Sequence, residues 1–311
     1  MSTAYDEIKT RLQGSMVALV TPCILTARLI INVADLIDWQ IEQGTHCLVA
    51  VGTTGESATL SMQEHSDVIR YFVQHVKGRV PVIAGTGANN TMEAIKLTQD
   101  AADAGADCAL LVAPYYNKPP QEGLYQHYKA IARAVNIPQM LYNVPGRTVV
   151  DIAQETVERL ADIDNIVAIK DATGSIARGE QLIKAVGDRI VVLSGDDSTA
   201  LDLMTFGGKG NISVTANVAP KAMSETCTAA LRGDFDAAHK AHDVVKHLHR
   251  DLFIESSPIP AKYALHKMGM IDTGIRLPLV WLAEHIMPLL MTPWCVRTYY
   301  KMMRVNANSE R

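Results

Sequence analysis

The chain has 311 residues, 48% of them hydrophobic and 20% charged, with a formal net charge of −4 and an isoelectric point near 6.2. That is ample apolar material for a large core, and it lacks the basic runs of a nucleic-acid or anionic-membrane binder. The first ten residues carry Asp6 and Glu7 and no apolar run, so no secretory signal is read, and the apolar stretch 16–37 is broken by Pro22, Arg28 and Asp35 and makes a poor membrane span. Five scattered cysteines (Cys23, Cys47, Cys108, Cys227, Cys295) show no C-x-x-C spacing, which points to buried, reduced thiols in a cytoplasmic protein and away from disulfides or zinc.

Short β-rich apolar runs recur at 17–21, 48–51, 80–84, 109–113, 139–142, 166–169, 190–193 and 211–214. Each is apolar on both faces, as parallel strands covered by helices must be. Helix-like segments separate them. In 90–104, Ala94, Ile95, Leu97, Thr98, Ala101 and Ala102 form one inward stripe with Gly105 as its stop, and 121–135 behaves similarly before Pro138. Strict strand–helix alternation predicts a parallel α/β domain, and eight units over roughly 200 residues predict a (β/α)8 TIM barrel. A doubly wound sheet also alternates, but no G-x-G-x-x-G follows the first strand, and the pair Gly85 and Gly87 reads as a tight strand-exit turn. After Pro220 the strand signal stops. Periodic apolar positions in 222–231 and 237–252 predict a helical extension, dividing the chain into a catalytic barrel (1–219) and a C-terminal helical extension (220–311).

Barrel chemistry sits where strands end. The second strand runs into Gly52-Thr53-Thr54-Gly55-Glu56-Ser57, whose glycines allow close approach and whose threonines supply hydroxyl and N–H groups for a small carboxylate; as a bare pattern it is also an ordinary capped turn. The fourth ends in Pro114-Tyr115-Tyr116-Asn117 and the fifth in Tyr142-Asn143-Val144-Pro145-Gly146-Arg147. Lys170 follows the sixth run, Ile166-Val167-Ala168-Ile169. An ammonium is costly among buried apolar residues, and a neutral amine there attacks ketones; the plainer reading is a lysine that reaches solvent or pairs with Asp171. Lysine, carboxylate-sized turn, hydroxyls and arginine together make a carbonyl-condensation kit that needs neither metal nor organic cofactor.

These motifs, with Ile169-Lys170-Asp171-Ala172-Thr173-Gly174 and Leu193-Ser194-Gly195-Asp196-Asp197, resemble the dihydrodipicolinate synthase (4-hydroxy-tetrahydrodipicolinate synthase) family, in order from about Gly14 to Trp281. The resemblance implies a lyase that joins pyruvate to L-aspartate 4-semialdehyde in the diaminopimelate route to lysine, without a cofactor. It implies that Lys170 forms the imine with pyruvate, that Tyr142, Thr53 and Tyr116 relay protons, and that Thr54 and the turn amides hold the pyruvate carboxylate. Arg147 would grip the semialdehyde carboxylate, while Gly195 and Ile212 line the pocket. In family members the tyrosine matching Tyr116 reaches in from a neighbouring subunit, so a homo-oligomer, a dimer of dimers, is expected. Feedback by L-lysine at the dimer interface would use Ser57, Ala58, His65, Asn89, Glu93 and Tyr115. Met62 stands where feedback-sensitive relatives often carry histidine, so weak to moderate inhibition is expected.

A sister branch, N-acetylneuraminate lyase, shares the glycine–threonine turn, the tyrosine and the lysine, but usually lacks the arginine after the Tyr-Asn-x-Pro turn; a small carboxylated aldehyde needs that clamp. A non-catalytic barrel sensing pyruvate or an amino acid would be expected to have lost Lys170, Tyr142 or Arg147, and all three are present. Two stretches depart abruptly from the family, 23–33 and 291–311, as local reading-frame errors or natural divergence would leave them. His239, His242 and His249 share one broad helical face, read as an exposed helix in preference to a metal site.

Overall fold

The computed structural model describes residues 4–23 and 33–290. Eight strands, β1 (Gly14–Ala18), β2 (Cys47–Ala50), β3 (Val82–Gly85), β4 (Cys108–Val112), β5 (Gln139–Asn143), β6 (Ile166–Asp171), β7 (Val191–Ser194) and β8 (Gly210–Ser213), pair in parallel and in sequence order, and β8 closes on β1. The helices are α1 (Ala4–Arg11), α2 (Ala34–Glu42), α3 (Met62–Val76), α4 (Thr91–Ala104), α5 (Gln121–Ala134), α6 (Pro145–Thr148) and α7 (Gln154–Leu160). They continue as α8 (Ile176–Val186), α9 (Ala200–Thr205), α10 (Pro220–Leu231), α11 (Phe235–Val245), α12 (Leu248–Asp251), α13 (Ile259–Lys267) and α14 (Met287–Leu290). This is the (β/α)8 TIM barrel expected, and its closure excludes the doubly wound sheet.

The two-residue period of each strand sorts side chains between two cores. Met16, Ala18, Val49, Ile83, Leu110, Met140, Ala168, Leu193 and Ile212 fill the barrel, with Ile8 of α1 and Leu12 just after it packed onto the same cluster. Val17, Leu48, Leu141, Ile169 and Val192 face outward beneath the helices. The expected helix over 90–104 is α4, with the Asn90 side chain accepting from the Met92 and Glu93 N–H groups and Gly105 in the left-handed region as its stop. Gly85 and Gly87 are close-approach points: a Cβ would lie 2.4 Å from Val51 O at the first and 2.3 Å from Val112 N at the second.

Two expectations shift. The first strand lies three residues earlier than the run 17–21. The apolar stretch continues past Ala18, but Val20 N–H donates to the Asn217 side chain (3.0 Å) instead of a neighbouring strand. The histidine helix breaks between Val245 and Leu248, which turns His249 inward. His249 is buried with Nδ1 2.9 Å from Thr215 Oγ1, and its ring is 4.9 Å from that of His242. His239 is exposed and His242 half-buried, so His249 alone leaves the exposed face expected, and no group of three or more metal-ligating side chains occurs among the described residues.

The C-terminal helices share the outer core. Met223, Val245, Leu248, Leu252, Ala264 and Leu265 belong to one cluster with Val17, Leu48 and Ile69. Among the described residues no helix is long and apolar enough to cross a membrane, and Cys23, Cys47, Cys108 and Cys227 are all free and buried. Of the stretch 23–33, residues 24–32 lie outside the described residues, as does 291–311 with Cys295.

Candidate active site

Strand alternation decides where Lys170 points. Its neighbours Ile169 and Asp171 face the helices, so Lys170 faces the barrel interior, where it is 5% exposed. Asp171 is engaged elsewhere: it accepts from Arg178 Nε at 2.8 Å, Asn143 Nδ2 at 3.1 Å and Thr173 Oγ1 at 2.5 Å. The Lys170–Asp171 pairing left open by the sequence is therefore not made. In the barrel register Lys170 stands beside Tyr142, with its Nζ 4.1 Å from the ring centroid.

A cavity of about 120 Å³ surrounds this amine, lined by Thr53, Thr54, Tyr142, Arg147, Lys170, Gly195, Ile212 and Ser257. That is well below the ~300–1,000 Å³ of sites for drug-sized ligands, so it suits a molecule of a few heavy atoms. Gly195 creates part of the space. A Cβ there would lie 2.6 Å from Lys170 Cε and 2.8 Å from Ala172 Cβ.

The turn after β2 is knotted by its own backbone: Gly55 N–H donates to Gly52 O (3.0 Å) and Glu56 N–H to Thr53 O (3.0 Å). Glu56 sits in the left-handed region with φ 57°, and Thr21 Oγ1 donates to Gly55 O at 2.7 Å. Folded this way, the Thr53 and Thr54 N–H groups donate to no acceptor among the described residues, and the two side chains line the Lys170 cavity. Two unpaired amides beside an amine can receive a carboxylate. Arg147, on the one-turn helix α6, lines the same cavity with its Nη2 3.5 Å from Ser257 O.

Tyr116 is not in this cavity. Its backbone is left-handed (φ 73°) and the residue is 89% exposed. A non-glycine residue in that conformation is uncommon and stores strain. It is held by flanking bonds, Asn117 Nδ2 to Asn89 O (2.9 Å) and Asn89 Nδ2 to Tyr115 O (3.1 Å).

A second, larger groove of about 550 Å³ adjoins the first, sharing Thr53, Val144, Arg147 and Ser257. It gathers Ser57, Ala58, Met62, His65, Glu93 and Tyr115, but not Asn89. Burial pushes the His65 imidazole down to about 4, against a hydrogen bond with the Gly85 backbone, and burial followed by the nearby Glu93 carboxylate raises the Tyr115 phenol.

Four contributors escaped the reading of the sequence. Ser257 brings its Oγ to 3.4 Å from Thr54 Oγ1 while its carbonyl meets Arg147. Asn143 joins Asp171 to Asp151 (2.7 Å) and accepts from Ile152 N–H (3.0 Å). Glu56 and Lys262 form an ion pair beneath the turn, both buried. Lys262 did leave a signal, as the one charged residue within the apolar run Ile259-Pro260-Ala261-Lys262-Tyr263-Ala264-Leu265.

Residues 11–292 match the dihydrodipicolinate synthetase family. This chain belongs to that family. Among curated relatives it is 89% identical over 285 residues to the 4-hydroxy-tetrahydrodipicolinate synthase of Psychrobacter arcticus, covering 91% of this chain and 95% of that one. It is 60% identical over 271 residues to the enzyme of the same name from Pseudomonas aeruginosa, with 87% and 93% covered. Among solved structures, the chloride-inhibited dihydrodipicolinate synthase from Acinetobacter baumannii complexed with pyruvate superposes with a TM-score of 0.90 at 56% identity, over 93% of this chain and 99% of that one. The Cyanidioschyzon merolae family member with lysine bound gives 0.88 at 35% identity, over 93% and 98%. The family and barrel expected from the sequence motifs are thus established.

Proposed function

We propose that this chain is a 4-hydroxy-tetrahydrodipicolinate synthase, condensing pyruvate with L-aspartate 4-semialdehyde through a Schiff base on Lys170. One observation carries the reading: a buried lysine opens into a cavity of about 120 Å³ whose walls include the Thr53–Thr54 turn, Tyr142 and Arg147. The relatives of that name, and the pyruvate complex among the similar structures, support it.

In this reading the pyruvate carboxylate sits on the Thr53 and Thr54 amides and the Thr54 hydroxyl. Lys170 Nζ attacks the ketone and water leaves, with Tyr142 passing the proton. The imine withdraws electrons, so loss of a methyl proton gives an enamine carbon that forms the new bond to the semialdehyde aldehyde carbon. Arg147 holds the semialdehyde carboxylate through two parallel N–H bonds. The product amine then attacks the imine carbon, closing the ring and releasing Lys170. Protons move several times within one small pocket, which suits a relay of Thr53, Tyr142 and Tyr116. The exposed Tyr116 serves a neighbouring subunit's site, so the working form is a homo-oligomer, a dimer of dimers. The barrel, 1–219, carries the reacting groups, and the extension, 220–311, supplies Ser257 and Lys262 behind them. The adjoining groove, with Glu93 for an ammonium and Ser57, Ala58, His65 and Tyr115 around it, is the place for L-lysine; Asn89 shapes it through Tyr115. Saturating lysine that leaves the initial rate unchanged would remove this last element. Function in lysine biosynthesis implies a cytoplasmic enzyme.

The test is incubation with pyruvate and borohydride followed by peptide mapping. Pyruvate is expected on Lys170 and nowhere else, and adduct on another lysine, or none, defeats the reading. Turnover with aspartate semialdehyde but not N-acetylneuraminate separates it from the sister lyase, and adduct without any turnover would mark a sensor.

A further inference from the structure

Lys262 is the most deeply buried cation of the described chain, with no exposed surface, yet it touches no part of the Lys170 cavity. Its Nζ meets the Glu56 carboxylate, donates to Gly274 O at 2.9 Å and lies 3.5 Å from Cys23 Sγ. The other Glu56 oxygen accepts from Arg276 N–H at 2.9 Å. Glu56 is the last turn of the knot that presents Thr53 and Thr54: its own N–H donates to Thr53 O, and its left-handed φ of 57° would relax toward the extended or right-handed regions if its side chain were released.

A buried ion pair is a poor stabiliser, because taking both charges out of water costs about as much as their attraction returns. In some proteins such a pair fixes one geometry among several. Here it joins positions 206 apart in sequence, the β2 exit and α13. We propose that Lys262 is a positioning residue for pyruvate: through Glu56 it holds the Thr53–Thr54 amides in the arrangement that receives the pyruvate carboxylate. The inference rests on the functional reading above and extends it to a residue outside the pocket. Arg147, on α6, bonds to neither member of this pair, its side chain meeting Ser257 O at 3.5 Å, so the semialdehyde clamp should be disturbed less than the turn.

The expected consequence is a split between the two substrates. A misplacement of about 1 Å at a binding group costs up to ~10²-fold. In Lys262→Met the pyruvate concentration giving half-maximal borohydride trapping on Lys170 should rise about tenfold or more. Trapping at saturating pyruvate should stay near complete, and the KM for aspartate semialdehyde should move less than about twofold. Glu56→Gln, which keeps the acceptor for Arg276 N–H and loses only the charge, should show the same shift, smaller, and carries the test where Lys262→Met does not fold. A purely structural role would lower the thermal midpoint and the active fraction with no change in half-saturation. Folded variants whose half-saturation by pyruvate matches the unaltered protein overturn the inference alone. Absence of trapping in the unaltered protein overturns the functional reading and takes this inference with it.

Discussion

Gly195→Ala tests the geometry around Lys170 with one methyl group. Gly195 lies outside the left-handed region, so alanine is permitted by the backbone, and its N–H still donates to Asp171 O at 2.7 Å. The added Cβ would stand 2.6 Å from Lys170 Cε, 3.0 Å from its Cγ and 2.8 Å from Ala172 Cβ. Carbon atoms pack at ~3.5–4.0 Å, so the lysine side chain must move by about 1 Å. The room open to it is the cavity of about 120 Å³ that it lines beside Tyr142, so the amine is displaced within the site. Overpacking of this kind costs ~1–3 kcal/mol of stability, and a 1 Å displacement of a reacting atom costs up to ~10²-fold in rate. The variant should therefore stay folded at 25 °C, unfold at lower urea, and form the pyruvate adduct about 10- to 100-fold more slowly in a quenched time course with borohydride. An adduct rate within about threefold of the unaltered protein would refute the claim that the absent side chain at position 195 makes room for Lys170.

Arg147→Lys keeps the charge but loses the paired N–H fork, so kcat/KM for aspartate semialdehyde should fall by about 10- to 100-fold while pyruvate trapping persists; equal loss of both would place Arg147 on pyruvate instead. Mixing separately inactive Tyr116→Phe and Lys170→Met chains through a dissociation cycle should restore activity, since one site of each hybrid pair would be whole, and no recovery in demonstrably mixed oligomers argues that Tyr116 serves its own barrel. Burial pushes both His65 and His127 down to about 4. The unfolded chain then takes up protons that the folded chain refuses between pH ~6.5 and ~4, so the stability these neutral imidazoles contribute is complete above that window and is lost as pH falls through it. The urea midpoint should drop from pH 7 to pH 5, and His127→Gln should shrink that drop; an undiminished drop would count against the assignment. Glu64, pulled down to about 2 by the Arg276 fork and the Ser61 cap, contributes above pH ~4.5 and loses its contribution as pH falls toward 2, so Glu64→Gln should flatten the acid limb of the stability curve.

The strand–helix alternation could be read directly because a parallel strand covered on both faces is a short apolar run, and the turns between are punctuated by glycine and proline at fixed places. The same logic put Thr53, Tyr142, Arg147 and Lys170 at strand exits, where barrel chemistry is built. Local pattern runs out where burial continues beyond the ladder. The first strand slipped by three residues because Leu19 and Val20 are as buried as the strand itself, although Val20 N–H bonds to Asn217. It runs out again where two adjacent residues compete: only the closed sheet turns Lys170 inward and leaves Asp171 to Arg178.

Long-range partnership belongs wholly to the tertiary structure. No periodicity links Glu56 to Lys262 or Thr54 to Ser257, because each pair meets only once the extension has docked on the barrel mouth. Tyr116 makes the same point from the other side. It is 89% exposed in a strained backbone, so its direction comes from the loop bonds around it and not from its place in the motif. By itself the sequence determined which groups of chemistry are available and at which end of the barrel. Packing decided which way each points and what holds it there, because direction depends on neighbours that chain order does not supply.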